Sequence, residues 1–550
     1  MSVRTPNKLI AASLGLCFSM LAAADPAPLQ RYVVQARDAE QAQGAVLRVG
    51  GVVVAELEVI NAVGAELSAA QADELRGKAG LRLYADIAVK VSGKNKTADP
   101  ATTTTTTTSD YQRTTSSDGQ LSLAELQRSF LNTANYTHPA LVGAPDVHKA
   151  GITGKGVTVA VVDTGLWWEA DTLLSKKPKF RFDSTNAPQN DDPNGHGTHV
   201  SSIIGSNRLA SNMVWEGVAP AADIGAVRAF SYDGSSTYID AIEAIDYVVK
   251  NRTAQNIRVL NLSFSAPPQS YYWDDPLNQA VMKAWQSGIV VVAAAGNDGP
   301  NPMTIGVPGN VPYIITVGAM SDSDTPTAGA DDRLASFSST GPTFEGFVKP
   351  EVVAPGGHIT GSIPFDGWIP QLHPDSMLDS ERQFKMSGTS QATAIVSGII
   401  ALMLEKDPTL TPDVVKCRLM ASAKRSVDSK GAPAYTVFQQ GAGLVNAPAA
   451  VASTATGCAN QGLNIAKDLK GTQHYEGPAN VDAAGNFFLQ DATGARLSDL
   501  GFTWNGAYAW DGGYAWTDGK LWSRTELWSS GRLWSRGKLW SRSVNWVEGQ

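Results

Sequence analysis

Hydrophobic and polar positions alternate in short units at the start of the chain. Within residues 29–92, RYVVQA and GVVVAELEVINAVGAEL alternate or run apolar as strands do. SAAQADELRGKAG brings a serine cap, helix formers and a glycine stop. LYADIAVKV reads as a further strand. The pattern predicts a small α/β domain over residues 25–92. It breaks at Thr102–Thr108, a run of threonines among Ser, Asp and Pro. Residues 93–134 cannot bury a core and read as a linker. Residues 135–455 form the largest segment, with fully apolar strands and a long apolar helix.

Residues 456–550 are a C-terminal extension with another rhythm. Trp504, Trp510, Trp516, Trp522, Trp528, Trp534, Trp540 and Trp546 are evenly spaced, six apart. Six residues of helix turn through about 600°, which scatters the rings over three directions. In an extended chain six is even, so all the rings share one face. The repeat over 504–546 is therefore predicted to be β-like. Its aromatic strip can pack on itself or on the rest of the protein. It can equally bind cell envelope, polysaccharide or an insoluble polymer.

The first 24 residues read as an export signal. Arg4 and Lys8 precede an apolar stretch from Leu9 to Leu21, and Ala22–Ala24 supply the small residues of a cleavage site. The stretch is too short for a membrane anchor. Lipid attachment at Cys17 is disfavoured by the bulky Leu16 before it. A secreted protein, extracellular or periplasmic, is expected. Cys417 and Cys458 then remain; they can pair in an oxidising compartment or be two unrelated thiols.

Composition narrows the classes. A chain of 550 residues exceeds one compact core, so two or more domains are expected. A formal net charge of −8 argues against a nucleic-acid binder with a basic patch. No apolar run after the signal is long enough for a membrane span. Three cysteines exclude a disulfide-rich scaffold.

Four motifs in residues 135–455 carry chemistry. GKGVTVAVVDTG (154–165) is a buried strand ending in Asp163, at the strand end where open α/β sheets place their sites. NGHGTHVSSIIG (194–205) sets His196 between glycines at a helix start, with His199 after it. A zinc reading of the two histidines lacks a third ligand and the glutamate of H-E-x-x-H. VVVAAAGNDGP (290–300) is an apolar strand ending in Gly296-Asn297. MSGTSQATAIVSGIIALML (386–404) places Ser390 at the start of a long apolar helix. Taken singly, these read as a strand-end acid, a loop histidine, a turn and a helix cap.

Together and in this order, the four motifs resemble the subtilisin-like serine peptidase family, whose triad runs Asp, His, Ser along the chain. The resemblance implies a mostly parallel sheet with helices on both faces. It implies Asp163, His196 and Ser390 as the triad and Asn297 as an oxyanion donor. Protein and peptide substrates follow from it. VLNLSFS (259–265) looks like the edge strand that pairs with substrate, through Ser263, Phe264 and Ser265. Ala294, Ala295 and Gly296 would line one wall of the S1 pocket, and Gly306 its floor. Small residues there imply a roomy pocket for large hydrophobic side chains. The domain over 25–92 has the size and pattern of the family's propeptide, which acts as an intramolecular inhibitor; a plain interaction domain is the other reading. Calcium often stabilises members of the family, and the sequence names no ligand set for it. No cofactor is implied, and His199 is expected to be structural.

The chain departs from the family pattern in places. Ser265 stands where glycine is common, Gln391 where methionine is usual, and Ala394 where proline is usual. A missing proline leaves the helix after the nucleophile unkinked. Reduced activity or acyl transfer is the resulting alternative. A non-enzymatic protein that binds through its tryptophan repeat is the alternative from another class, and the intact triad argues against it.

Overall fold

The structure is a computed structural model. It describes residues 28–91, 138–168, 177–185, 191–210, 212–321, 332–378, 383–428, 431, 433–491, 495–498, 514–515 and 545–548. The expected export signal, the expected linker over 93–134 and nearly all of the tryptophan repeat lie outside the described residues.

The N-terminal domain is an antiparallel sheet of β1 (Gln30–Gln35), β2 (Val52–Leu57), β3 (Ala62–Leu67) and β4 (Arg82–Ala85), in the order β2-β3-β1-β4. Asp38 caps α1 (Ala39–Arg48), and Ser68 with Gln71 forms a capping box on α2 (Ala69–Arg76). The strands are amphipathic in both directions. Tyr32, Val34, Val63, Ala65 and Leu67 pack with Val46 and Leu75 of the helices. Val33, Ala55, Leu57 and Ala62 point the other way and join the main core. A sheet apolar on both faces needs a second body to cover it. The rest of the chain is that body.

The main body is built on a largely parallel sheet. Its strands are β6 (Thr158–Asp163), β7 (Phe180–Asp183), β8 (Asp223–Arg228), β10 (Ile257–Leu262), β12 (Val290–Ala294), β13 (Ile315–Ser321) and β14 (Arg333–Leu334), with β15 (Val352–Pro355) also on β13. The order is β14-β13-β12-β10-β6-β8-β7, and only β14 is antiparallel to its neighbour. Two helix pairs pack on the sheet. One is α3 (His196–Gly205) with α6 (Thr389–Lys406). The other is α4 (Tyr238–Asn251) with α5 (Pro276–Gln286). The N-terminal domain sits on α4 and α5. Val59 N donates to Asp246 Oδ1 at 2.7 Å, and Gln35 Nε2 to Gln279 Oε1 at 2.7 Å. Arg31 bridges Asp86 and Asp240 at 3.2 and 3.1 Å.

A separate small sheet has β5 (Ala88–Val91) at its centre. It lies between β9 (Ser235–Thr237) and β11 (Phe264–Ser265), antiparallel to both. The segment leaving the N-terminal domain is thus held as a strand by the main body.

The boundary expected after residue 455 is not a boundary in the packing. Tyr475, Ala479 and Leu489 belong to the main core. Cys417 and Cys458 form a disulfide, with Cα atoms 5.1 Å apart. The buried hydroxyls of Tyr272 and Tyr313 need an acceptor, and Asp468 Oδ2 supplies it at 2.5 and 3.0 Å. Residues 456–491 are therefore part of the body. Further on, Asn545–Glu548 pairs antiparallel with Lys424–Val427, and Trp546 there is the last member of the repeat. No helix among the described residues is long and apolar enough to cross a membrane.

Candidate active site

Asp163 ends β6, whose residues are all buried. The next turn lets two segments approach closely. Gly165 has φ 123°, and a Cβ there would lie 2.5 Å from Asp191 O. A Cβ on Gly197 would collide with Gly165 O. The start of α3 therefore presses against the end of β6. His196 is the first residue of α3, and its Nδ1 donates to Asp163 Oδ1 at 2.7 Å. Both side chains are 1% exposed. A carboxylate only accepts, so the proton sits on Nδ1 and Nε2 is left as the acceptor. Nε2 is buried with no hydrogen-bond partner among the described residues.

Ser390 is the second residue of α6 and is fully buried. Its Oγ donates to Ser263 O at 3.0 Å, and Ser263 Oγ donates back to Ser390 O at 3.2 Å. The edge segment and the helix start are tied together by this exchange. The backbone N–H of Ser390 lies in the first helical turn, where no acceptor exists four residues back. The helix dipole adds positive potential at the same place.

Asn297 follows β12. Its Oδ1 accepts from both the N and the Oγ1 of Thr389, each at 3.0 Å. Two donors fix the amide oxygen toward Thr389 and make Nδ2 the opposite, donating end. Thr389 was visible in the sequence only as the middle of G-T-S.

Apart from Ser263, tied to Ser390 as above, the expected substrate-binding residues fall into two groups. Ser265, Ala295, Gly296 and Gly306 come together. Gly306 N donates to Ala295 O at 3.1 Å. A Cβ on Gly306 would lie 2.9 Å from Ser265 Cβ, and one on Gly296 would lie 3.4 Å from Ser265 Oγ. Ser265 therefore packs against both glycines. Phe264 instead contributes its side chain to the core, and Ala294, like Ala295, is fully buried. The Phe264 ring packs on Phe230 at 5.0 Å, so only its backbone serves the edge strand. That backbone pairs with Val91, and Ser265 pairs with Lys90.

His199 lies apart from this chemistry. Its Nε2 donates to Phe384 O at 3.1 Å, and its Nδ1 accepts from Gln391 Nε2 at 3.4 Å. Burial pushes its pKa down to about 3, so it stays neutral. Gln391, the substitute for methionine, is thus a partner of His199. Ala394 is buried within an uninterrupted α6. Among the described residues no group of three or more His, Cys, Asp or Glu side chains is placed to hold a metal.

A largely parallel α/β sheet with a buried Asp–His pair at one strand end, and a serine at the start of a helix packed on the histidine's helix, fits the class of subtilisin-type serine peptidases. The profile of the subtilase family (peptidase S8) matches residues 154–443, more than half of the chain, and the chain belongs to that family. Serine protease AprX of Bacillus subtilis (strain 168) is 40% identical over 270 residues, covering 48% of this chain and 60% of that protein. Subtilisin DY of Bacillus licheniformis is 33% identical over 312 residues, covering 56% of this chain and 96% of that protein. Subtilisin E of Bacillus subtilis (strain 168) is 34% identical over 312 residues, covering 56% of this chain and 69% of that protein.

Proposed function

We propose that this protein is an exported serine endopeptidase, made as a self-processing zymogen. The observation that carries the reading is the buried 2.7 Å contact between Asp163 Oδ1 and His196 Nδ1. It leaves the buried Nε2 as the ring's acceptor. A serine hydroxyl is a weak nucleophile at neutral pH and needs such a base. On substrate binding, the Ser390 hydroxyl turns from Ser263 O toward Nε2 and gives up its proton as Oγ attacks the carbonyl carbon. Asp163 holds the imidazole tautomer and stabilises the imidazolium. The Asn297 Nδ2 and the Ser390 N–H receive the developing oxyanion. The imidazolium then protonates the leaving amine, and water repeats the sequence on the acyl-enzyme.

The zymogen part of the reading is supported by β5. An extended substrate is expected to add a strand to β11. Ala88–Val91 occupies that position, and Val89 is buried in the main core. The domain that ends in β5 covers α4 and α5 and would act as the inhibitor. Export is supported by the signal-like first 24 residues and by the disulfide.

The test is intact mass of the full chain beside Ser390→Ala, before and after incubation with casein. The expected result is N-terminal trimming and casein cleavage by the wild type alone. If both proteins stay full length and neither cuts casein, the reading is wrong.

A further inference from the structure

Asp192 does not touch the reacting atoms, yet both halves of the Asp–His pair are built around it. Its side chain is 2% exposed. Oδ1 accepts from Thr164 Oγ1 at 2.7 Å and from Gly195 N at 2.8 Å. Oδ2 accepts from Thr198 N and Thr198 Oγ1, each at 2.7 Å. Thr164 is the residue after Asp163, and its N donates to Asp163 Oδ1 at 2.8 Å. Gly195 and Thr198 flank His196.

The start of α3 shows why this carboxylate matters. The N-cap is Gly195, which has no side chain to cap with. The first-turn N–H groups must still be satisfied. His196 N donates to Asn194 Oδ1 at 3.2 Å, Gly197 N to Thr164 Oγ1 at 2.9 Å, and Thr198 N to Asp192. Two of these three acceptors are Asp192 itself and a hydroxyl that Asp192 holds. A negative charge at a helix N-terminus is also favoured by the dipole. The Thr198 hydroxyl also accepts from Trp167 N at 2.9 Å, which joins the segment after Asp163 to the same cluster.

We propose that Asp192 is a positioning residue that sets the distance and orientation of His196 relative to Asp163. It acts by clamping the end of β6 and the start of α3 through Thr164, Gly195 and Thr198. The proposal rests on the peptidase reading for its kinetic arm and has a spectroscopic arm independent of it. In Asp192→Asn, an amide NH2 would face donors where an acceptor is needed. A small misplacement of reacting groups costs about 10²-fold in rate. Asp192→Asn is therefore expected to lower kcat on peptide substrates by about that factor, with KM within about threefold.

Thr164 supplies the second variant pair. Thr164→Val removes the hydroxyl at nearly constant shape and is expected to share the kcat defect. Thr164→Ser keeps the hydroxyl and is expected to restore most of kcat. The spectroscopic readout is the low-field proton NMR signal of His196 Nδ1–H in the full-length Ser390→Ala background. It should shift or broaden on Asp192→Asn while near-UV circular dichroism is retained. A wild-type kcat and an unmoved Nδ1–H signal in folded Asp192→Asn would overturn the proposal. So would equal kcat in Thr164→Val and Thr164→Ser. An inactive wild type would overturn the peptidase reading, and the NMR arm would still decide the role of Asp192.

Discussion

Thr389 donates to Asn297 Oδ1 from its backbone N and its hydroxyl, each at 3.0 Å. The residue before Ser390 therefore aims the amide proposed to receive the oxyanion. Asn297→Leu removes the donor and is expected to lower kcat by about 10²–10³-fold, a typical loss for one such group. KM should change little, because a ground-state carbonyl uses this contact weakly. Steady-state kinetics on a chromogenic peptide checks this. A large rise in KM at constant kcat would count against the oxyanion role.

Val89 is the inward-facing residue of β5 and is 1% exposed. Burying a valine is worth about 1.5–3 kcal/mol. Val89→Asp forfeits this and sets a charge in the core. Tenfold in affinity is about 1.4 kcal/mol, so the N-terminal segment should leave its site at least about tenfold more readily. The lag before casein hydrolysis should shorten accordingly. An unchanged lag would mean that β5 does not hold the zymogen closed.

Glu243 faces a cleft of about 570 Å³ between β2 and α4, lined also by Glu56, Phe182, Asp246, Tyr247 and Lys250. Burial pushes its carboxyl up to about 7 from the ordinary 4.5; Asp240 and Asp246 add to the rise and Arg31 opposes it. A raised acid binds its proton more tightly in the folded protein than in the unfolded one. Its stabilising share is complete below pH 4.5 and is lost as pH rises to about 7. Glu345, pushed up to about 7, and Asp275, to about 6, act in the same direction. Buried His138, pushed down to about 4, and His199, to about 3, act in the opposite direction below pH 6.5, so the readout is the difference between variants. Relative to Ser390→Ala alone, adding Glu243→Gln should raise the melting temperature progressively as pH rises from 4.5 to about 7. A pH dependence unaffected by Glu243→Gln would count against a raised Glu243 carboxyl.

Ser265 Cβ stands 2.9 Å from where a Gly306 Cβ would be. Ser265→Gly should open the pocket. One methylene of fit in an apolar pocket is worth about 10–200-fold in kcat/KM. The ratio of kcat/KM for Phe over Ala at P1 should rise by about tenfold in the variant. A peptide library separates the outcomes, and an unchanged profile would place the limiting wall elsewhere.

Much of the site was legible because its signals are local. A strand-end acid in VVDTG, a histidine between glycines at a helix start, and a serine opening an apolar helix all sit within single motifs. Alternation and caps outlined the N-terminal domain for the same reason. Periodicity senses which face of an element is buried. It does not say what buries it.

Tertiary structure decided the rest. Only in three dimensions does β5 lie between β9 and β11, which are remote from it in the chain. The hydrophobic effect placed the Phe264 side chain in the core, which leaves its backbone to the edge strand. Residues 456–491 carry no peptidase motif, yet the buried hydroxyls of Tyr272 and Tyr313 take Asp468 as their acceptor. Asp192 reads as one acid in a polar loop until its four hydrogen bonds are in view. Local motifs thus carried the resemblance to the family, and rhythm outlined the elements that bear them. The choice of partner for each buried polar group was left to packing, because a hydrogen bond depends on distance in space and not on spacing along the chain.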